Sequence, residues 1–155
     1  MSGKHQLDKL GRNILQLLQI NARIPYLEMA RRLIVSGGTI HHKIDKLREA
    51  GILVGHRAVI DHKKLGYKVS TLIGVRLVSA HSTEEVIEHL STMDEVVEAY
   101  YTTGGFALII KVITRDIDHY HQFLVKKLQT IKEIQSTESF ICLDNPISRD
   151  LKVEL

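Results

Sequence analysis

The spacing of apolar residues divides the chain into two parts with different periods. In the first part they recur every three or four positions. Leu7, Leu10, Ile14, Leu17 and Leu18 predict an amphipathic helix that ends near Asn21. Pro25 suits the first turn of a second helix, where its missing N–H would have no partner anyway. Leu27, Ala30 and Leu33 give that helix its apolar face. Ser36 is a good N-cap for a third helix with the stripe Ile40, Ile44 and Leu47, and Gly51 is its natural stop. "ILVGHRAVID", residues 52–61, alternates weakly and reads as an extended wing or a spacer. Residues 62–68 are polar and basic and predict a linker.

From Val69 the period changes. Val69, Thr71, Ile73, Val75 and Leu77 alternate with Ser70, Leu72, Gly74, Arg76 and Val78, as in a strand with two faces. Ser82 and Glu85 read as a capping box for a helix lined by Val86, Ile87, Leu90 and Met93. Strands follow at Val96–Thr103 and Phe106–Thr114. Asp116 then caps a helix with the face Ile117, Tyr120, Leu124, Leu128 and Ile131, and Ile134–Leu143 is the last strand. The fold class is therefore α+β. An N-terminal (winged) helix-turn-helix in residues 1–61 precedes a ferredoxin-like βαββαβ domain in residues 69–155. One face of such a sheet lacks helices, so a second copy of the chain is expected to cover it.

Charge separates the same two parts. Residues 1–66 hold twelve Lys and Arg against five acids, and the remainder holds nine against thirteen. A basic module for a polyanion joined to a different domain fits this asymmetry. No apolar run approaches ~20 residues, so no membrane span is expected. The start, Met1–Gln6, has no apolar leader, so a cytoplasmic protein is expected. Cys142 is the sole cysteine, which excludes an intrachain disulfide, and it reads as a small buried hydrophobe.

Candidate chemistry sits in two places. In "SGGTIHHKIDK", two glycines occupy the first turn of the third helix at a cost in helix stability. In a helix-turn-helix that end enters the major groove. Gly37 and Gly38 would let backbone approach phosphate closely, and their N–H groups favour an anion. Ser36, Thr39, His41, His42, Lys43 and Lys46 lie off the apolar stripe, available to bases and phosphates; Arg23 completes the candidate set. A small helical bundle with a solvated basic face is the plainer reading. His41 and His42, like His119 and His121, are poorly placed as metal co-ligands, and no cofactor is expected. The second place is "YYTTGGF", Tyr100–Phe106. It is either a tight hairpin turn at Gly104-Gly105 or a ligand cradle, in which backbone N–H groups bind an anion beside the threonine hydroxyls. "QSTES", residues 135–139, is an unusually polar run in an otherwise apolar strand.

The stretches "LDKLGRNILQLLQINAR", "SGGTIHHKIDKLREAGIL", "YYTTGGFALIIKV" and "LQTIKEIQSTES" resemble the Lrp/AsnC family of bacterial transcription regulators. The resemblance runs from about Leu7 to Pro146. In "EAYYTTG", "LQTIKEIQSTES" and "NPI" it is closest to the AsnC, asparagine-responsive, branch. It implies a helix-turn-helix joined to a βαββαβ effector and oligomerisation domain. It also implies dimers that assemble further, to octamers in many members, on double-stranded promoter DNA. Amino-acid effectors, here L-asparagine, would bind between dimers and control amino-acid metabolism genes. The effector residues implied are Tyr100, Thr102, Thr103, Gly104, Gly105 and Phe106, with Gln135, Ser136, Thr137 and Glu138 from a neighbouring subunit. Gly104 and Gly105 would hold the effector carboxylate, and Thr102 or Thr137 its side-chain amide.

Three positions depart from the family pattern. Gly11 replaces an acid in the first helix. Ile34 replaces a glycine in the turn before the third, so a turn of different shape is expected. Ala107 replaces an acid after the loop aromatic, which leaves Glu98 or Glu138 to receive the effector ammonium. Two alternatives stand beside the regulator. One is an architectural DNA-coating protein with no effector. The other is a tetrapyrrole decarboxylase, since some proteins resembling the family are such enzymes; Arg115, His119 and His121 are the cluster that reading would need. No nucleophile–base pair supports an enzyme.

Overall fold

The computed structural model describes residues 7–153; Met1–Gln6, read above as a polar start, and the last two residues lie outside the described residues. The chain forms two compact units, one from residues 1–59 with 148–155, the other from residues 60–147.

In the first unit, α1 (Lys9–Ile20) starts at Asp8, whose carboxylate accepts from the Gly11 N–H at 2.8 Å. It ends at Asn21, as its apolar spacing predicts. α2 (Tyr26–Leu33) starts one residue after Pro25, which is its N-cap. α3 (Gly37–Glu49) starts at Ser36, whose hydroxyl accepts from the Thr39 N–H at 3.1 Å. Ile14, Leu15, Leu18, Ile24, Met29, Ala30, Ile40, Ile44 and Leu47 form the core. The stripe predicted for α3 is the one found. That of α2 is turned. Leu27 is 63% exposed, while Tyr26, Met29, Ala30 and Leu33 face the core at the better i, i+3, i+4, i+7 spacing.

The turn between α2 and α3 does not differ in shape from one built on glycine. Ile34 adopts the left-handed conformation, φ 56° and ψ 49°, and its N–H donates to Ala30 and Arg31 carbonyls. A β-branched residue there is strained by about 1–2 kcal/mol. The side chain is 92% exposed and contributes little packing. Ile34→Gly should therefore raise stability by about 1 kcal/mol, seen as a melting temperature several degrees higher. An unchanged or lower melting point would show that the strain is absorbed elsewhere.

Residues 54–61 form no strand, so the stretch is a spacer and not a wing. Residues 62–68 are part of the second unit. They turn through 62–66, and the Lys68 N–H donates to the Arg115 carbonyl at 3.2 Å. The tail from Ser148 was expected with the sheet but belongs to the helical unit. The amides of Gln16 and Gln19 donate to the Val153 and Leu151 carbonyls, each at 2.8 Å, and the Val153 N–H donates to Gln19 at 3.2 Å. Nothing in the tail's sequence pattern announces these contacts, because backbone carbonyls accept them.

The second unit runs β1 (Val69–Leu77), α4 (Thr83–Ser91), β2 (Val96–Tyr101), β3 (Leu108–Thr114), α5 (Ile117–Lys126) and β4 (Ile134–Cys142). The sheet order is β2-β3-β1-β4 with antiparallel neighbours, the ferredoxin-like arrangement. Ile73, Val75, Leu108, Ile110 and Val112 pack under Val86, Leu90, Tyr120, Phe123, Leu128 and Ile131. On α5 the face turns to include Phe123, and Ile117 is exposed. The Asp116 cap forms, accepting from the His119 N–H at 2.7 Å. The Ser82 capping box does not, because Ala80–Ser82 make a 3-10 turn capped by Ser79. The other sheet face carries Leu72, Ile109, Ile113 and Phe140 without helices above them. Cys142, expected buried, is only partly so.

One carboxylate is buried at the start of β2. Glu95, 9% exposed, accepts from the Lys127 ammonium at 2.7 and 2.9 Å and lies 3.4 Å from His119 Nε2. Burial, the largest single influence, works against its charge, but the Lys127 ammonium, its own backbone N–H and His119 together outweigh burial and hold its pKa below the ordinary 4.5. Asp8 is likewise held below 3.8, chiefly by its hydrogen bond from Lys43. Both groups have folded pKa values below their unfolded ones. Their contribution is therefore present above pH 4.5 and is lost as pH falls through the lowered values. Melting temperature should drop on acidification below about pH 4.5, and Glu95→Gln should flatten that acid limb. A variant with an unaltered limb would show that Glu95 plays no part in it.

Candidate DNA-contacting helix and effector site

The first turn of α3 has no internal need for glycine. An added Cβ at Gly37 would meet nothing within 4 Å, and at Gly38 only Ser36 Oγ at 3.8 Å. Neither residue has a positive φ. Neither packing nor backbone conformation inside the chain requires glycine at these two positions, and the helix start is open to close approach from outside. Ser36 and Thr39 flank them, their hydroxyls 2.8 Å apart. His42 and Lys46 are exposed and, among the described residues, have no side-chain partner. Arg23 is exposed in the turn after α1, its N–H bonded to Asn21 Oδ1.

Two expected members of the set are occupied. The Lys43 ammonium lies 2.6 Å from Asp8 Oδ2, and its side chain is only 23% exposed. It braces the cap of α1 and does not stand free for phosphate. Gly11 leaves room for this pair: a Cβ there would lie 3.1 Å from Asp8 Oδ1 and 3.2 Å from Lys43 Cε, so both would have to give slightly. The departure at Gly11 and the position of Lys43 are thus one feature. The ring of His41 packs edge-on against Tyr26 of α2, with centroids 4.4 Å apart, which fixes its direction while leaving it exposed.

Between β2 and β3 the chain makes a six-residue loop, Thr102–Ala107, and not a two-residue turn. The Thr102 N–H donates to the Ala107 carbonyl at 3.0 Å, and the Thr102 hydroxyl donates to the Phe106 carbonyl at 2.7 Å. The hydroxyl proposed for an effector amide is therefore occupied. Gly104 has φ +146°, which favours glycine. Among the described residues, the N–H groups of Thr103, Gly104 and Gly105 have no partner.

Phe106 folds back onto the open sheet face and covers Gly74. A Cβ at Gly74 would sit 2.6 Å from the ring. The Arg76 guanidinium lies 4.3 Å above the same ring, and its Nη2 is 3.5 Å from Glu138 Oε2. Gly74, Phe106, Arg76 and Glu138 thus form one continuous group that joins the loop to β4. Register separates the expected β4 residues. Ser136 and Glu138 pair with Arg76 and Gly74 on the open face. Thr137 pairs with buried Val75 on the helix-covered side, away from Phe106, and Gln135 falls in an irregularity of the pairing. Tyr100 stands on the open face and donates to Glu98, which also takes the Lys111 ammonium at 3.1 Å. That carboxylate holds the Tyr100 phenol above its ordinary 10.0, so it stays a donor.

Gly74 and Arg76 were not among the residues singled out from sequence. The signals were a glycine inside an alternating strand and the one charged residue of β1. The cluster named for the enzyme reading is taken up in structural contacts: the Arg115 N–H donates to His119 Nδ1 at 3.3 Å, the Arg115 guanidinium lies 5.8 Å from the Tyr67 ring, and His119 Nε2 lies 3.4 Å from Glu95. No helix among the described residues is long and apolar enough to cross a membrane.

Comparison with known proteins covers both units. Residues 7–48 match the AsnC-type helix-turn-helix domain, and residues 70–151 the Lrp/AsnC ligand binding domain. The chain is 49% identical over 148 residues to the regulatory protein AsnC of Haemophilus influenzae, covering 96% of this chain and 99% of that one. A solved structure of Escherichia coli AsnC is 47% identical, covers 94% of this chain and 97% of that one, and superposes with a TM-score of 0.90. A Neisseria meningitidis transcriptional regulator solved with L-methionine shares the fold at 22% identity and TM-score 0.87, over 92% of this chain and 94% of that one.

Proposed function

This chain belongs to the Lrp/AsnC family of transcription regulators, and from that premise we propose that it binds promoter DNA through α3 and answers to an amino acid, L-asparagine. The observation that carries the amino-acid class is the group around Phe106. An amino acid presents a carboxylate and an ammonium a few ångströms apart. Here the unpartnered N–H groups of Thr103, Gly104 and Gly105 and the Arg76 guanidinium offer an anion site. Glu138, expected from a neighbouring subunit but paired here with Arg76 of its own chain, offers the acceptor for the ammonium that Ala107 does not supply. Asparagine in particular is favoured by identity near one half, over nearly the full length, to proteins named regulatory protein AsnC. The open face with Leu72, Ile109, Ile113 and Phe140 is the proposed homodimer contact, with assembly beyond the dimer, to an octamer, built on it. The proposed role is control of amino-acid metabolism genes in the bacterial cytoplasm. Calorimetric titration of the full chain with L-asparagine, and with leucine, glutamine and lysine as controls, tests the effector. Selective uptake of asparagine is expected. Uptake of none of them, or of all equally, overturns the assignment.

A further inference from the structure

We propose that Glu85, His89 and Glu133 form a binding site for a divalent first-row transition-metal ion of the zinc type. Glu85 and His89 are one turn apart on α4 and so share a face. Glu133 comes from 44 to 48 positions further along the chain, on the turn before β4. Its carbonyl accepts from the Val78 N–H at 2.9 Å, which fixes its backbone. One ligand atom from each of the three lies within 4.8 Å of the others. Donors around a zinc ion stand roughly 3–4 Å apart, so small rotations of these side chains complete the set.

The three residues line a cleft of about 540 Å³ together with Thr92, Met93, Lys127 and Lys132. Among the described residues, none of the three side chains has a hydrogen-bond or ion-pair partner. Two carboxylates so close repel one another unless a cation lies between them. The lysines of the cleft do not fill that role in this structure: the Lys127 ammonium is held by Glu95 at 2.7 and 2.9 Å, and Lys132 is exposed. An imidazole nitrogen among the donors selects a transition ion over magnesium or calcium, which prefer oxygen alone. Three protein ligands leave room for water in the fourth position. An ion held there ties α4 to the start of β4, two residues before Gln135.

The test is calorimetric titration of the full, chelator-stripped chain with Zn2+, with Mg2+ for comparison. One saturable Zn2+ site per chain is expected. His89→Ala and Glu133→Gln should each weaken it more than about tenfold. His121→Ala should leave it unchanged. Melting curves of the stripped variants should match the parent, which separates loss of a ligand from loss of fold. No saturable uptake, Mg2+ bound as tightly as Zn2+, or affinity unaffected by His89→Ala would each overturn the site, the last by placing the ion on other histidines.

Discussion

Gly74→Val should lower effector affinity by more than about tenfold, or 1.4 kcal/mol, while the chain stays folded. The new Cβ would lie 2.6 Å from Phe106 Cδ1 and 2.7 Å from Cγ, too close for the ring to remain. Once displaced, the ring no longer lies under the Arg76 guanidinium, and the loop Thr102–Ala107 loses its anchor on the sheet. The strand itself tolerates the change. Gly74 has no positive φ, its pairing with Ile109 and Glu138 uses backbone only, and valine favours strands. Calorimetry with asparagine alongside a thermal melt separates the two effects. Unchanged affinity in a folded Gly74→Val chain would remove Phe106 and Arg76 from the site.

The second large effect lies at the start of α3. Gly38→Val should cut DNA affinity more than tenfold, with helix stability unchanged or slightly higher. The nearest atom to a new Cβ inside the chain is Ser36 Oγ at 3.8 Å, so nothing internal resists the substitution. Valine is also a better helix residue than glycine. The loss comes from side-chain atoms that keep the helix start away from the sugar-phosphate backbone. Lys46→Ala makes the useful contrast. It should weaken binding to all sequences alike and reduce the salt slope by about one unit, whereas Gly38→Val should weaken binding at every salt concentration. Lys43→Ala, by its bond to Asp8, should act mainly on stability. Full DNA affinity in Gly38→Val would mean that another part of the unit makes the close contact.

Periodicity made most of the fold legible. The α3 stripe Ile40, Ile44 and Leu47 and the β1 alternation Thr71, Ile73 and Val75 are each buried as their spacing requires. It failed where two stripes compete, as on α2, where Leu27 yields to Met29. It failed again where backbone groups do the bonding, as in the tail held by Gln16 and Gln19. The candidate sites were half legible. Glycines and exposed polar residues marked α3 and the loop, because those features carry local signals. The occupancy of Lys43 depends on Asp8, thirty-five positions away, and the pairing of Arg76 with Phe106 and Glu138 depends on strand register. The difference between Thr137 and Glu138 is likewise one of register, since adjacent strand residues face opposite ways.

The measurement that tests the regulator most directly is a binding isotherm for the full chain on duplexes it selects from a random pool, with and without L-asparagine. A consensus should be recovered, bound well above unselected DNA, whose affinity asparagine shifts at least about fivefold while leucine and lysine do not. Recovery of no consensus, or isotherms that superpose with every amino acid, would contradict the proposed function.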